Sequence, residues 1–291
     1  MSGANLVALI EASLRGAPAE TVAFFRRERD AARELLARTH SAEDVARVPL
    51  QAAERLAPLV EELIRDRPPA CARGCSRCCH GLKIEASAPE AVAIAEFLRG
   101  LTPEELAETR AQMADEAAFA RTLDAEARWR EQVPCAFLDD ESGECVIYDA
   151  RPFTCRAHTS MSLEQCEAAA ADPERRTPID KHAVPASIFG MAKSAITVAC
   201  AEGNLDARSF ELTNAVNVAL NEPNAGERWA RGEPVFDAAV TPSDAVDSEL
   251  SLRALVRSGL LAPERLLKRP VSRSERNAAK RTRRGRREKG R

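Results

Sequence analysis

Residues 71–80 read CARGCSRCCH, with four cysteines in nine positions and two of them adjacent. The pattern is Cys71-x3-Cys75-x2-Cys78-Cys79. A second set, Cys135, Cys145, Cys155 and Cys166, follows with nine, nine and ten residues between neighbours. Cysteines buried for their size alone scatter along a chain; they do not gather four to a turn. Thiolates this close repel one another, so their charge needs a positive partner. A bound metal supplies that charge and strips the thiol proton. Ligands near in sequence also close a chelate ring at small entropic cost. The eight cysteines therefore read as metal ligands. Cys200 stands alone in an apolar stretch and reads as a small buried hydrophobe.

One tetrahedral zinc takes four ligands, and one iron–sulfur cubane takes about four thiolates. Eight thiolates exceed either. Adjacent side chains also diverge, so Cys78 and Cys79 reach a single ion only in a tight turn. The spacing predicts either two neighbouring centres or one centre with some cysteines left for redox work. All-sulfur ligation suits zinc and iron–sulfur alike, and the metal stays open at this point. His80 and His158 lie close to the cysteines and are reserve ligands, whereas His40 and His182 have no such neighbours. Arg73, Arg77, Arg151 and Arg156 flank the cysteines, either as donors to a negatively charged thiolate site or as ordinary solvated side chains.

Outward from the cluster the chain is helical in pattern. Residues 1–66 carry apolar residues at steps of three and four, with Leu56, Leu59, Val60 and Leu63 on one stripe. Ser41 precedes Asp44 as a helix cap. Pro49 and Pro58 mark places where this helix bends. The stretch RPPA at 67–70 ends it. After the cluster, LKIEAS reads as a short strand, and a helix runs from about Ser87 to Leu98, stopped by Gly100. Thr102 and Pro103 open one long charged helix that continues to about residue 132. DDESGE, with Gly143 at its tip, is a turn between two short strands, CAFL and CVIY. Helices return at SLEQCEAAAA, PASIFGMAKSAITVACAEG, FELTNAVNVALN and SDAVDSELSLRALVRSG. The division expected is a helical region at 1–66, a cysteine-cluster domain with a helical insertion at 67–205, further helices at 206–261 and a basic tail at 262–291.

The net charge of −3 over 291 residues conceals an asymmetry. Residues 264–291 hold thirteen Lys or Arg against three Glu, a net of +10, so the rest of the chain carries −13. A tail this polar is expected to stay unfolded. It is suited to weak, salt-sensitive phosphate contact with nucleic acid, without aromatic residues for base stacking. The N-terminal stretch MSGANLVALIEASLRG lacks a positive start and breaks its apolar run at Glu11, which predicts no export signal. No apolar run is read as a membrane span. Cytoplasmic surroundings follow as the expectation, and there thiols stay reduced.

The cluster CARGCSRCC, the following LKIEASAPEAVAIAEFL and the later VPCAFLDDESGECVIYDARPFTCR together resemble the YkgJ-type cysteine-cluster proteins, described as zinc- or iron-chelating domains with a CxxCxxCC signature. The resemblance covers about residues 70–166. It implies metal ligation by Cys71, Cys75, Cys78, Cys79, Cys135, Cys145 and Cys155. Cys166 joins them by position. A related branch includes flagellin lysine N-methylases, which implies a methyl-transfer relative, although no glycine-rich loop of Rossmann type is present. Three other patterns are weaker. C-x3-C-x2-C is also the spacing of radical S-adenosylmethionine enzymes. Here, however, Arg77 stands where those enzymes usually have an aromatic, and no β/α barrel pattern follows. CSRC is a C-x-x-C motif without a thioredoxin-like βαβ surround. The basic tail is the third. The expected fold is mainly α: a helical, bundle-like protein with a small irregular or hairpin-containing cysteine module. Its expected property is binding zinc or an iron–sulfur cluster.

Overall fold

The structure, a computed structural model, describes residue 10 and residues 14–139, 141–175 and 177–240. The helix expected over 243–259 and the basic tail at 262–291 lie outside the described residues.

The fold is mainly helical, with a small two-stranded antiparallel sheet. Helix α1 (Ala19–Leu36) is followed by α2 (Ala42–Ile64). Ser41 starts α2 as expected: its hydroxyl accepts the Asp44 N–H at 3.2 Å, while the Asp44 carboxylate accepts the Ser41 N–H at 3.2 Å. This reciprocal cap satisfies two of the donors that a helix start leaves orphaned. α2 runs unbroken through Pro49 and Pro58. Leu56 and Val60 of the expected stripe are buried, with Leu59 and Leu63 half-buried beside them. α1 turns Thr21, Phe25, Glu28 and Ala32 inward.

The chain then passes through the cysteine loop, whose residues Arg77–Cys79 form one 3₁₀ turn. Strand β1 (Glu85–Ser87) leads directly into α3 (Ala88–Arg99). The long helix expected after Thr102 is two helices, α4 (Pro103–Thr122) and α5 (Ala125–Arg130). Asp124 interrupts it by accepting the Ala127 N–H at 2.8 Å, which starts a new helix. The hairpin expected around Gly143 is a turn with a single bridge between Leu138 and Cys145 rather than two strands. Asp139 Oδ1 takes the N–H groups of Glu141 and Ser142 and the Ser142 hydroxyl, so the turn is held by its own side chains. Gly143 sits at φ +69°, a left-handed geometry that costs glycine least.

Four further helices follow: α6 (Phe153–Ala157), α7 (Leu163–Ala171), α8 (Ala183–Glu202) and, after strand β2 (Ser209–Glu211), α9 (Leu212–Asn221). β2 pairs with β1 in the register Glu85–Glu211, Ala86–Phe210 and Ser87–Ser209. Phe210 and Glu211, expected to be helical, are thus strand residues. α10 (Ala225–Ala230) closes the described fold together with a 3₁₀ turn over Val235–Ala239.

α8 is the central element and packs on α1, α2 and α6. By length and composition alone it could cross a bilayer, contrary to the reading of the sequence, but 72% of its apolar window is buried among these neighbours. α3 lies between α2 and α9. One apolar cluster runs through all of them and includes Phe137, Ile147 and Phe153 of the cysteine region. Phe153 stacks on Phe189 of α8 with ring centroids 6.1 Å apart. Burying one such ring is worth roughly 1.5–3 kcal/mol, so the cysteine region is anchored on the helical core.

Candidate metal centre

Four chain segments carry the eight cysteines, and each is tied to another by backbone or side-chain bonds. The Cys79 carbonyl accepts the Cys135 N–H at 2.8 Å, and the Val133 carbonyl accepts the Gly81 N–H at 2.8 Å. These bonds lay residues 133–135 along the end of the cysteine loop. The Leu138–Cys145 bridge then brings Cys145 back beside Cys135. On the other side of the loop, Ser160 accepts the Ala70 N–H at its carbonyl and donates its own N–H to Cys71 Sγ at 3.2 Å. α7, which carries Cys166, packs on the Arg77–Cys79 turn, and Arg77 pairs with Glu167 at 3.2 Å.

Cys155 lies in α6, which is fixed from two directions. Glu90 of α3 accepts the Phe153 N–H at 2.7 Å, and Thr154 Oγ1 donates to the Glu85 carbonyl at 2.9 Å. Lys193 reaches out of α8 to the same carbonyl at 3.1 Å and to Thr154 Oγ1 at 2.9 Å. Glu90, Thr154, Lys193 and Ser160 position the site, and sequence reasoning missed all four. Glu90 was visible only as the third residue of a helix; its second bond spans 63 positions.

All nine cysteines are free thiols, and the eight outside α8 keep some exposed surface. Cys200 is buried in the core, and burial pushes its thiol up to about 12. The Cys79 thiol bonds to Cys78, which raises Cys79 and lowers Cys78 to about 7, with Arg151 adding to the latter effect. Burial pushes Cys135 up to about 12 and raises Cys145 and Cys155. Burial also raises Cys71, against the Ser160 N–H bond. Five of the eight clustered thiols are thus raised above the ordinary thiol value. Among the described residues no three His, Cys, Asp or Glu side chains are already closed around an ion position. The backbone gathers the sulfurs; closing them on a cation requires side-chain rotation and loss of protons. Eight reduced sulfurs on neighbouring segments are a donor set that fits a soft or borderline cation.

The four arginines part company. Arg151 lies over the Tyr148 ring at 3.6 Å, and its charge acts on Cys78, Cys145 and Cys155. Arg73 lies 4.9 Å from the same ring and pairs with Glu144. Arg77 is held by Glu167. Arg156 is spent on the Arg151 and Asp149 carbonyls. His80 forms a backbone bridge to Pro134. His158 is enclosed near Lys181, and burial holds it down at about 4, neutral at ordinary pH. His182 caps α8, its Nδ1 accepting the Val184 N–H and its Nε2 meeting the Arg67 carbonyl at 2.8 Å.

Residues 70–175 match the CxxCxxCC family model. Its description is "putative zinc- or iron-chelating domain". The matched span holds all eight clustered cysteines and leaves Cys200 outside. No curated protein and no solved structure matches the chain. Two elements that brace the matched span, α8 and β2, lie beyond residue 175. A groove of about 700 Å³ between α1 and α2, lined by Arg27, Glu28 and Arg55 among others, has no cysteine in its wall.

Proposed function

We propose that this protein chelates zinc or iron, the latter as an iron–sulfur cluster, through Cys71, Cys75, Cys78, Cys79, Cys135, Cys145, Cys155 and Cys166. The observation that carries the reading is the convergence of four separate cysteine-bearing segments, each tied to its neighbour by specific bonds, inside a span that matches a metal-chelating family. A fold that only needed small apolar residues would not hold eight thiols together. In the absence of metal their mutual repulsion and burial keep most of them protonated. A cation reverses this by displacing the protons.

The reading places the protein in reducing surroundings such as the cytoplasm, where free thiols persist. Anaerobic purification followed by metal analysis and thiol titration tests it. The expected result is bound zinc or iron with most of the eight thiols protected from alkylation. Metal-free protein with all nine thiols titratable would end the proposal.

A further inference from the structure

We propose that the eight thiols form two adjacent four-thiolate centres, an outer one of Cys71, Cys75, Cys78 and Cys166 and an inner one of Cys79, Cys135, Cys145 and Cys155. Cys78 and Cys79 are the seam, each given to a different centre. This rests on the chelation reading above.

The bonds of the fold sort the cysteines this way. The inner set is joined through the strand-like pairing of residues 79–81 with 133–135 and through the bridge that returns Cys145. Cys155 is delivered to it by α6, pinned to Glu90, Glu85 and Lys193. The outer set is joined through Ser160, which holds Cys71, and through α7, which seats Cys166 on the Arg77–Cys79 turn. Electrostatic neighbours agree. Cys75, Cys78 and Cys166 act on Cys71, whereas Cys78, Cys135 and Cys155 act on Cys79, and Cys145 on Cys135. Cys78 acts on Cys145 and Cys155 as well, as a residue at the boundary should.

Chemistry favours the same division. Cys78 and Cys79 are in thiol contact on the Arg77–Cys79 turn, which puts the two centres edge to edge at this pair. Four thiolates complete a closed tetrahedral site, so eight fill two without remainder. Two divalent ions also reduce the charge of eight thiolates from −8 to −4, and Arg151 lies beside the seam. The two centres differ in enclosure. Cys135 and Cys155 are the most deeply surrounded by protein, while the outer set is rimmed by Arg73 and Arg77, whose ion-pair partners Glu144 and Glu167 are themselves well exposed. The inner metal is held; the outer metal exchanges.

Zinc loading of the full chain under anaerobic conditions tests this. The expected result is two zinc ions per chain, released to a colorimetric chelator in two phases. Cys71→Ser and Cys166→Ser should each leave one ion and abolish the fast phase. Cys145→Ser should lose the slow phase, with circular dichroism confirming the helical fold. A single ion per chain that survives both Cys71→Ser and Cys166→Ser, with those thiols open to alkylation in the parent protein, overturns the two-centre inference and leaves chelation standing. Loss of both ions in Cys166→Ser also overturns the division. Protein that takes up no zinc and no iron defeats the chelation reading itself.

Discussion

Glu90 accepts the backbone N–H of Phe153 at 2.7 Å while its other oxygen takes the Ser87 N–H at 2.8 Å and the Ser87 hydroxyl at 2.7 Å. One buried carboxylate therefore caps α3 and starts the helix that bears Cys155. Charge-assisted bonds of this kind are worth about 1.5–3 kcal/mol, and removing the acceptor strands the donors in the core. Glu90→Ala should destabilise the fold by about 2–4 kcal/mol in urea unfolding and weaken zinc affinity. Glu90→Gln should recover part of both.

Arg128 lies in the interior between two buried acids, pairing with Glu116 and lying 3.8 Å from Glu211. Burial, and then the Glu116 charge, lift Glu211 to about 7. Arg128→Met would leave two carboxylates facing each other without a cation. The expected cost is about 3–5 kcal/mol at pH 8. Protonation relieves the repulsion, so the deficit should shrink as pH falls towards 5. Thermal unfolding of parent and variant at the two pH values checks the sign.

His158 has its folded value held down at about 4, below the ordinary 6.5. The unfolded chain then binds more protons between these values, so its contribution to stability is complete above about 6.5 and fades as pH falls through 4. The slope has an upper bound of about 1.4 kcal/mol per pH unit. His158→Gln should flatten the pH dependence of stability in that window relative to the parent. Urea midpoints at pH 4.5, 5.5 and 7 measure it.

Gly226 sits where α10 crosses α2. A Cβ there would come 2.8 Å from the Ala42 Cα and 2.9 Å from its Cβ, with backbone on one side and little room to yield. Gly226→Ala should cost about 1–3 kcal/mol as an overpacked contact, with metal content per folded chain unchanged. Calorimetry with metal analysis separates the two effects.

Burial raises Cys135, Cys145 and Cys155, so a cation bound by the proposed ligands would compete with protons for them. Zinc affinity should rise steeply from pH 6 to 8, and binding in weak buffer should release protons measurable by titration calorimetry. Removing the metal with a chelator should lower the unfolding temperature, since an ion bound only by the folded state stabilises it.

What the sequence discloses is what is local. The Ser41–Asp44 and Thr102–Glu105 caps, the Gly143 turn and most helices are set by residues three or four apart, and their signals are present in the string. The break before α5 is local too, because Asp124 is a good helix starter, but a charged run on both sides masks it. β2 is illegible for a different reason. Three residues become a strand only because β1, more than 120 positions earlier, is there to pair with them. α8 reads as an apolar helix, and only its packing on α1, α2 and α6 gives it a core position. The thiols are legible as a group from their spacing. Their sorting by Ser160, Glu90 and Lys193 is not, since each of these acts across 39 to 108 positions.

The reach of Lys193 to Thr154 and Glu85 has a temporal corollary during biosynthesis. The last cysteine of the cluster leaves the ribosome well before the lysine that braces the Cys155 helix, and β2, which pairs with Glu85, emerges later still. A growing chain therefore displays all eight clustered cysteines before it owns the scaffold to aim them. Quality control of the newborn polypeptide must tolerate an interval of naked thiols that ends only when the central helix docks.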